Sequence, residues 1–371
     1  MYAVSEIMVA IDIVVPSYRL QSKYLLSILQ MEIPAETSVR FLLIADNPNT
    51  EIPREILPFI DNEKVILIRN PKNIGVCRTR NIGIDNSKGD WILFLDDDVT
   101  PSKNLLITYI HSISDNPREI GFFGDVVFPA PINNFTNGIK TSGLLALFSL
   151  SDHSNSRKWT PTANVIVKRS AIGDVRFNEV FAKAGAGEEI DFFLKIYRNT
   201  HRELRGIKNA QVFHEWWYEG NRVYARFIRW NTGIALLTKI FPEYSYFTFP
   251  NVIESLVLGL PLVFIICFLL HSFVLFFCVF AGIIVGECFV EFLQLLKSKG
   301  FAESRFAIEV VLIRAANDFG RLKMLAGICR RFNFSCDAKN ILSQRFWAGL
   351  KFIAYTLFSV SLYCIFRLIN E

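Results

Sequence analysis

The sequence lacks the cysteine patterns that mark disulfide-rich or zinc-binding proteins. Its seven cysteines are spread singly over 371 residues, without a Cys-x-x-Cys pair or a Cys/His cluster. Several of them stand inside apolar segments, namely Cys267, Cys278, Cys288 and Cys364. We therefore expect reduced thiols and a polar part that is exposed to the cytoplasm.

A recognisable export signal is also missing. Residues 1–10 have no basic flank, and the apolar run from Ile7 to Val15 is interrupted by Asp12 and followed by Pro16. This run is typical of a buried strand instead. The sequence contains neither an internal repeat nor a low-complexity tract.

Apolar residues, by contrast, are abundant. They make up 51% of the chain, and the mean hydropathy is +0.30, above the usual range of soluble proteins. Since one span needs roughly twenty residues, the apolar stretch 252–296 predicts two spans, over about 252–270 and 272–292. A third span is expected over about 348–368, and residues near its ends resemble interface anchors: Trp347, Lys351 and Arg367.

A basic segment lies between the second and third spans. Between Lys297 and Arg345, ten Lys or Arg residues stand against four Asp or Glu residues. Because apolar spans flank this segment, we expect anionic membrane lipids as its partner, and no nucleic acid. Apolar and basic residues such as Arg314 and Arg321 recur at helical spacing over about 301–332, which predicts an amphipathic helix in the headgroup region. A buried helix of a soluble core is the alternative.

The first 245 residues alternate β-rich apolar runs with helical polar stretches. The predicted strands are Ile11–Val15, Phe41–Ala45, Val65–Arg69 and Trp91–Leu95. This alternation indicates an α/β domain with a mostly parallel central sheet over 1–245, followed by an α-helical membrane domain over 246–371. Ligands of such sheets bind at the carboxyl ends of the strands, so we expect the site in the loops that follow them.

Three adjacent carboxylates, those of Asp96, Asp97 and Asp98, end the fourth predicted strand. Like charges at this spacing are costly unless a cation neutralises them. Mg²⁺ or Mn²⁺ bridging to a diphosphate would do so, because such ions combine a few carboxylates with phosphate oxygens. A solvated acidic turn is the alternative.

Three motifs, in this order, resemble those of family 2 glycosyltransferases with the GT-A fold. They are Val14-Val15-Pro16-Ser17-Tyr18, the segment from Asn73 to Gly83, and the run Asp96 to Asp98. The resemblance covers about residues 8–235. It implies a metal-dependent hexosyltransferase-like enzyme that uses a nucleoside diphosphate sugar, with a UDP-sugar favoured, and inverts the anomeric carbon.

The resemblance also implies roles for individual residues. Those implied in donor binding are Pro16, Ser17, Tyr18, Asp46, Asn73, Gly75, Arg80, Asp96, Asp97, Arg226 and Arg229. For Asp46, a turn-stabilising role is the alternative to nucleotide binding. Arg226 replaces the Gln of a Gln-x-x-Arg-Trp motif, so processive synthesis is not inferred. Thr162, Asn164 and Trp230 are implied in acceptor binding.

The same resemblance implies the metal ligands and the general base. Asp98 should ligate the metal, with Asp96 on ribose or a metal-bound water, while His214 is either a further ligand or a core histidine. The segment from Gly185 to Phe193 is similar to the family's Gly-Glu-Asp-x-Asp motif. Its base position is occupied by Glu189, with Glu188 and Asp191 as alternatives. Favourable placement of these acids at a helix N-terminus is a further interpretation.

The resulting hypothesis is an integral membrane enzyme with a cytoplasmic catalytic domain. Its acceptor would be a lipid-linked saccharide in the assembly of surface polysaccharide or glycolipid. The alternatives are a polyprenyl-phosphate sugar synthase and a noncatalytic nucleotide-binding membrane protein. The sequence Asp-Asp-Asp-Val-Thr at 96–100 differs from the Asp-Ala-Asp-Leu-Gln-like segment usual in such synthases.

This topology predicts which lysines a reagent reaches from each side. The hairpin of the first two spans returns the basic segment to the cytoplasmic side. A membrane-impermeant amine reagent should therefore modify Lys297 and Lys339 in inside-out vesicles, as read by mass spectrometry. Modification of these lysines in right-side-out vesicles only would contradict the topology.

Overall fold

The computed structural model describes residues 9–35, 37–150, 155–181, 186–325 and 332–370. Contacts divide the chain into two compact units. The first unit comprises Met1–Ala130, Leu145–Lys183 and Glu188–Glu219. The second comprises Pro131–Leu144, Ala184–Gly187 and Gly220–Glu371. The chain thus passes between the units several times, and the domain boundary near residue 245 stays a prediction.

The first unit is built on a nine-stranded mixed sheet. Its strands are β1 Val9–Ser17, β2 Thr37–Ala45, β3 Val65–Arg69, β4 Trp91–Leu95, β5 Val99–Pro101, β6 Gly121–Val127, β7 Ser156–Arg157, β8 Asn164–Lys168 and β9 Leu204–His214. Their spatial order is β3-β2-β1-β4-β8-β6-β9-β5, with β7 beside β9. The four predicted strands and the mostly parallel sheet are confirmed.

The helices of the two units follow in chain order. They are α1 Ser22–Leu29, α2 Val76–Asn86, α3 Leu105–Asp115, α4 Asn134–Thr141, α5 Arg169–Ile172, α6 Glu188–Thr200, α7 Ala225–Ile240, α8 Val252–Glu254, α9 Leu260–Leu269, α10 Phe273–Lys299, α11 Phe301–Ser304, α12 Ala307–Leu325 and α13 Ala338–Asn370. A π-helical turn, Ser255–Gly259, joins α8 to α9. In the second unit, strands β10 Ser245–Phe247 and β11 Phe332–Phe334 form an antiparallel pair.

The parallel half of the sheet positions the candidate site. Strands β3, β2, β1 and β4 run in the same direction, with Ser17 paired to Ala45 and Val14 to Phe94. All five residues of β4 are buried, as expected for a strand covered on both faces. Because parallel strands end at one edge, the loops after β1, β2 and β4 meet there.

A buried carboxylate, that of Asp12, fastens the middle of this sheet. Asp12 is 1% exposed and accepts hydrogen bonds from both Nε and Nη2 of Arg40 on β2, at 2.8 and 2.7 Å. It also accepts the backbone N–H groups of Lys88 and Gly89, at 2.5 and 2.7 Å. The acid that interrupts the first apolar run therefore joins three segments of the chain.

The second unit contains three helices that are long and apolar enough to cross a membrane. They extend over Val252–Leu269, Phe273–Lys299 and Ala338–Ile369, which agrees with the three predicted spans. His271, in the turn between the first two, has a positive φ of 51°. The predicted helical region with three apolar helices is thus present.

The predicted amphipathic helix over 301–332 corresponds to α11 and α12, while residues 326–331 lie outside the described residues. Two of its basic side chains point inward. Arg321 donates to Glu254 Oε1 at 2.6 and 3.1 Å, and Arg314 donates to Glu291 Oε2 at 2.9 Å. The expectation that basic residues of this helix meet headgroups is therefore wrong for Arg314 and Arg321. Acids buried in neighbouring helices attract them more strongly.

Loss of the Asp12 carboxylate should destabilise the first unit. Asp12→Ala leaves the Arg40 guanidinium and two backbone N–H groups without their acceptor, which we expect to cost about 3 kcal/mol. The matched control is Asp85→Ala, since Asp85 forms an exposed pair with Arg176 and should cost less than about 1 kcal/mol. Thermal unfolding of the full chain in detergent measures both. Equal changes in the two variants would contradict the role of Asp12.

Candidate active site

The end of β1 contacts the acidic run that follows β4. Ser17 is buried, and its hydroxyl donates to Asp97 Oδ2 at 2.6 Å while accepting the backbone N–H of Leu20 at 3.0 Å. Burial raises the pKa of Asp97 to about 6, against the hydrogen bond from Ser17, which lowers it. Tyr18 is 51% exposed beside this contact. Two of the predicted donor-binding segments are therefore adjacent.

Asp46, at the end of β2, organises the loop that leads into α2. Its carboxylate accepts from Asn70 Nδ2 at 2.8 Å and from the backbone N–H groups of Ile74 and Gly75 at 3.0 and 2.9 Å. Gly75 has φ 85° and ψ 157°, a conformation that is essentially restricted to glycine. Asn73 Oδ1 also accepts the Gly75 N–H, at 3.0 Å. The structure thus gives Asp46 the turn-stabilising contacts that were the alternative to nucleoside binding.

Arg80, on α2, joins the end of β4 to the start of α6. Its side chain is 5% exposed, with Nη2 donating to Asp96 Oδ1 at 3.2 Å and Nη1 to Glu188 Oε1 at 3.1 Å. The guanidinium also lies 5.4 Å from the ring centre of Phe177. In the structure Arg80 fixes two carboxylates of the site. Its predicted role in donor binding stays a prediction.

Asp98 and His214 bring an oxygen and a nitrogen donor together. Asp98 Oδ1 lies 3.3 Å from His214 Nε2, and Arg19 approaches the other carboxylate oxygen at 3.3 Å. Burial lowers the pKa of His214, but the hydrogen bond and charge of Asp98 outweigh it, so the pKa is raised. Phe128 stacks on the imidazole at 5.1 Å between ring centres. His214 is therefore held by ring packing and directed at Asp98.

Asp98 and His214 fit a divalent cation whose remaining ligands come from a bound substrate. Within the described ranges, no group of three His, Cys, Asp or Glu residues is arranged to hold a metal ion. Asp98 and His214 would thus supply two ligands, leaving the other positions to phosphate oxygens and water. Mg²⁺ sites commonly combine one or two carboxylates with substrate phosphates in this way.

The three acids at the start of α6 have different surroundings. Glu188 is 5% exposed and bonded to Arg80, whereas Asp191 is fully buried and bonded to Lys195 at 2.6 Å. Glu189 alone of the three is partly exposed. Burial, followed by the charge of Glu188, raises the pKa of Glu189 to about 8. Gly185, at the beginning of the predicted motif, lies outside the described residues.

The two residues predicted for acceptor binding near β8 have separate positions. Thr162 donates to Glu189 Oε1 through its backbone N–H at 3.2 Å and its hydroxyl at 3.0 Å. Asn164 is 1% exposed, and its amide donates to the carbonyl oxygens of Asp125 and Ala210 at 3.1 and 2.9 Å. Its own side-chain oxygen accepts from Tyr109 at 2.7 Å. Asn164 therefore belongs to the core, whereas Thr162 orients Glu189.

The remaining predicted residues lie on α7, in the second unit. Arg226, Arg229 and Trp230 occupy its first turns, and Trp230 contacts the buried Phe227 edge-to-face at 5.7 Å. Their assignment to donor and acceptor stays a prediction.

Sequence reasoning missed a contact between α1 and the end of β9. Tyr24 donates its hydroxyl to Glu215 Oε2 at 2.7 Å, and Lys23 pairs with the same carboxylate. Glu215 adjoins His214, so these residues border the Asp98 pair. Lys23 and Tyr24 look like ordinary helical surface residues, and about 190 positions separate them from Glu215.

Comparisons with known proteins show which chains this one is similar to. Residues 12–177 match the family model described as Glycosyl transferase family 2. An uncharacterized glycosyltransferase of Haemophilus influenzae is 37% identical over 89 residues, 24% of this chain and 29% of the relative. Another, of Methanocaldococcus jannaschii, is 22% identical over 197 residues, 52% of this chain and 66% of the relative. Glucosyl-dolichyl phosphate glucuronosyltransferase of Haloferax volcanii is 27% identical over 89 residues, 24% of this chain and 28% of the relative.

The matched segments span less than two thirds of the length of these relatives. Among solved structures, S. aureus TarS 1–349 in complex with UDP aligns over 89% of this chain and 97% of its own, with 13% identity and a TM-score of 0.44. GalNAc-T7 with UDP, GalNAc and Mn²⁺ aligns over 62% and 48%, with 16% identity and the same TM-score.

Proposed function

We propose that this chain, whose residues 12–177 match the Glycosyl transferase family 2 model, transfers one sugar from a nucleoside diphosphate donor to a lipid-linked saccharide. The observation that carries this proposal is the environment of Glu189. It is the partly exposed acid among three at the start of α6, it is oriented by Thr162, and its pKa is about 8. A carboxylate with a pKa near neutrality is suited to act as a general base.

In the proposed reaction, Glu189 accepts the proton of an acceptor hydroxyl. The acceptor oxygen then forms a bond to C1 of the donor sugar, and the bond from C1 to the diphosphate oxygen breaks with its electron pair. One displacement of this kind inverts the configuration at C1. Thr162 keeps the base in position, so part of the activation barrier is removed by orientation before reaction.

The donor side of the reaction is assigned to the edge of the sheet. Ser17 and Tyr18 are proposed to border the nucleoside, and Asp96 and Asp98 the diphosphate end of the donor. Asp98 and His214 would hold Mg²⁺ or Mn²⁺. When bound, the ion supplies a Lewis acid that stabilises negative charge on the leaving diphosphate. We favour a UDP-sugar, as in the UDP-containing complexes named above.

Two observations support the proposal of a lipid-linked acceptor. Three helices of the second unit are suited to a membrane, and the relative from Haloferax volcanii is named as acting on a glucosyl-dolichyl phosphate. We further propose that the catalytic domain faces the cytoplasm, where nucleotide-sugars are made. The lysine-modification experiment described above tests this placement independently of the chemistry.

A polyprenyl-phosphate sugar synthase is the second candidate. Its acceptor would be the lipid phosphate, which is already an anion and needs no proton acceptor. The partial exposure and raised pKa of Glu189 favour a hydroxyl acceptor instead. A screen of radiolabelled nucleotide-sugars against purified lipids tests the assignment, with polyprenyl phosphate and a polyprenyl-linked saccharide as separate acceptors. Donor binding without any transfer would favour the noncatalytic alternative.

Transfer should depend on a divalent ion held by Asp98. Asp98→Asn removes a negative ligand next to His214, so transfer should be lost and Mn²⁺ binding in the presence of UDP should weaken. Paramagnetic resonance of free Mn²⁺ measures the binding. The exposed Asp115 provides the control, since Asp115→Asn should leave both properties unchanged. Full turnover by the folded enzyme in excess EDTA would refute metal dependence.

Replacement of Glu189 should separate binding from chemistry. Glu189→Gln retains the hydrogen bonds from Thr162 but cannot accept a proton, so transfer should fall roughly 10²- to 10⁴-fold while donor binding persists. Glu189→Asp should retain partial activity. The control is Glu179→Gln, because Glu179 is exposed outside the site. Near-normal turnover of Glu189→Gln, or a product that keeps the donor configuration, would overturn the mechanism.

The pH dependence gives a further check of the base. Glu189 must be deprotonated to act, so kcat/KM should fall as pH decreases through about 8. Glu188→Gln removes a neighbouring negative charge that raises the pKa of Glu189. The acidic limb of the kcat/KM profile should therefore move to lower pH. An unchanged or upward-shifted limb in Glu188→Gln would assign the titration to another group.

A further inference from the structure

Helix α12 exposes an apolar stripe along its length. Ile308 is 66% exposed, Leu312 is 43% exposed and Phe319 is 39% exposed. Spacings of four and seven residues place these side chains on one helical face. Phe301, in the short helix just before it, is 76% exposed. An exposed apolar surface that is continuous over three helical turns marks an interaction site.

Three charged residues of α12, Glu309, Arg314 and Arg321, lie on its protein-facing side. Arg321 is 4% exposed and pairs with Glu254, and Arg314 donates to Glu291 and to the carbonyl oxygen of Ser142 at 3.0 Å. Glu309 pairs with Arg222. A surface helix of a water-soluble domain turns its charged face to water and its apolar face to the protein, and α12 has the reverse arrangement. Removing the exposed part of each large side chain of the stripe from water would be favourable.

We propose that α12 lies along the membrane surface and inserts the face of Ile308, Leu312 and Phe319 into lipid. The helix α10, which is suited to span the membrane, ends at Lys299, two residues before Phe301. The apolar stripe therefore begins where the chain leaves the bilayer. Contact with lipid gives the exposed apolar side chains an apolar environment, which water does not provide.

Charges at this junction support an anionic lipid surface as the partner. Lys297, Lys299 and Arg305 are exposed around the end of α10 and the start of α12. The ammonium group of Lys297 lies 5.9 Å from the ring centre of Trp347, on α13. Basic and indole side chains are the groups that occupy the headgroup region. Headgroup contacts thus belong to these residues rather than to Arg314 and Arg321.

A segment from the middle of the sequence packs against α11 and α12 beside the apolar stripe. Gly138 of α4 leaves no room for a side chain, because an added Cβ would come within 2.7 Å of Glu309 Cβ. Thr141 donates to Glu303 Oε2 at 2.5 Å. If α12 rests on lipid, residues 131–144 are therefore tied to the membrane surface through it. This consequence does not depend on the proposed sugar transfer.

Photo-crosslinking of the full chain in vesicles of zwitterionic and anionic phospholipid tests the orientation. Benzoylphenylalanine would replace Phe319 or Leu312, one site at a time. Phe277, 66% exposed on α10, is the control for lipid contact, and Tyr18, 51% exposed in the first unit, is the control for water. After irradiation, mass spectrometry should find phospholipid adducts at Phe319, Leu312 and Phe277, and none at Tyr18.

Two results would overturn the proposal. One is an adduct to a second copy of the chain at Phe319 and Leu312, which would make the stripe a protein interface. The other is the absence of lipid adducts at both sites while Phe277 gives them. Unchanged thermal unfolding of each substituted chain ensures that the readout comes from the folded state. Neither result would affect the assignment of Glu189, which is tested by transfer assays.

Discussion

The candidate site depends on one guanidinium that is buried among carboxylates. Arg80 bonds Asp96 and Glu188 at once, which neutralises charge that would otherwise be expensive to keep out of water. Burial, and after it the charge of Glu188, raises the pKa of Glu189 to about 8 even though Arg80 lowers it. The fold thereby obtains a basic carboxylate by burying it beside another acid.

Much of the fold was predictable because the signals are local. Buried strands such as Trp91–Leu95 are continuous apolar runs in the sequence. Parallel strands end at one edge, so the loops after them were expected to form the site, and Ser17 and Asp97 meet there. The role of Arg80 was not predictable. It depends on Glu188, 108 positions away, and on a side-chain direction that no local pattern specifies. Asn164 was misleading for a similar reason, since its buried partners come from three different segments.

In the second unit, the sequence contained a useful signal that was not used for the prediction, namely the acids inside the apolar spans. Glu254, Glu287 and Glu291 were visible as interruptions of the apolar spans. A charge in such a span requires a partner, and the basic residues of the next segment were the available partners: Arg314, Arg321 and, from the third span, Lys351. Composition alone gave α12 the correct amphipathic character, while these acids determine which of its faces is turned to the protein.

The close packing of α4, α7 and α12 has a consequence for how this chain can be divided into fragments. Thr232 of α7 donates to the carbonyl oxygen of Gly320 on α12 at 3.2 Å, and Ile139 of α4 is 3% exposed in the same unit. A fragment ending near residue 245 would keep α4 and α7 but lose α12, which packs against both. The surfaces of α4 and α7 that α12 covers would then be exposed to water, and the fragment would tend to aggregate. Helix α12 is thus a structural support of α4 and α7.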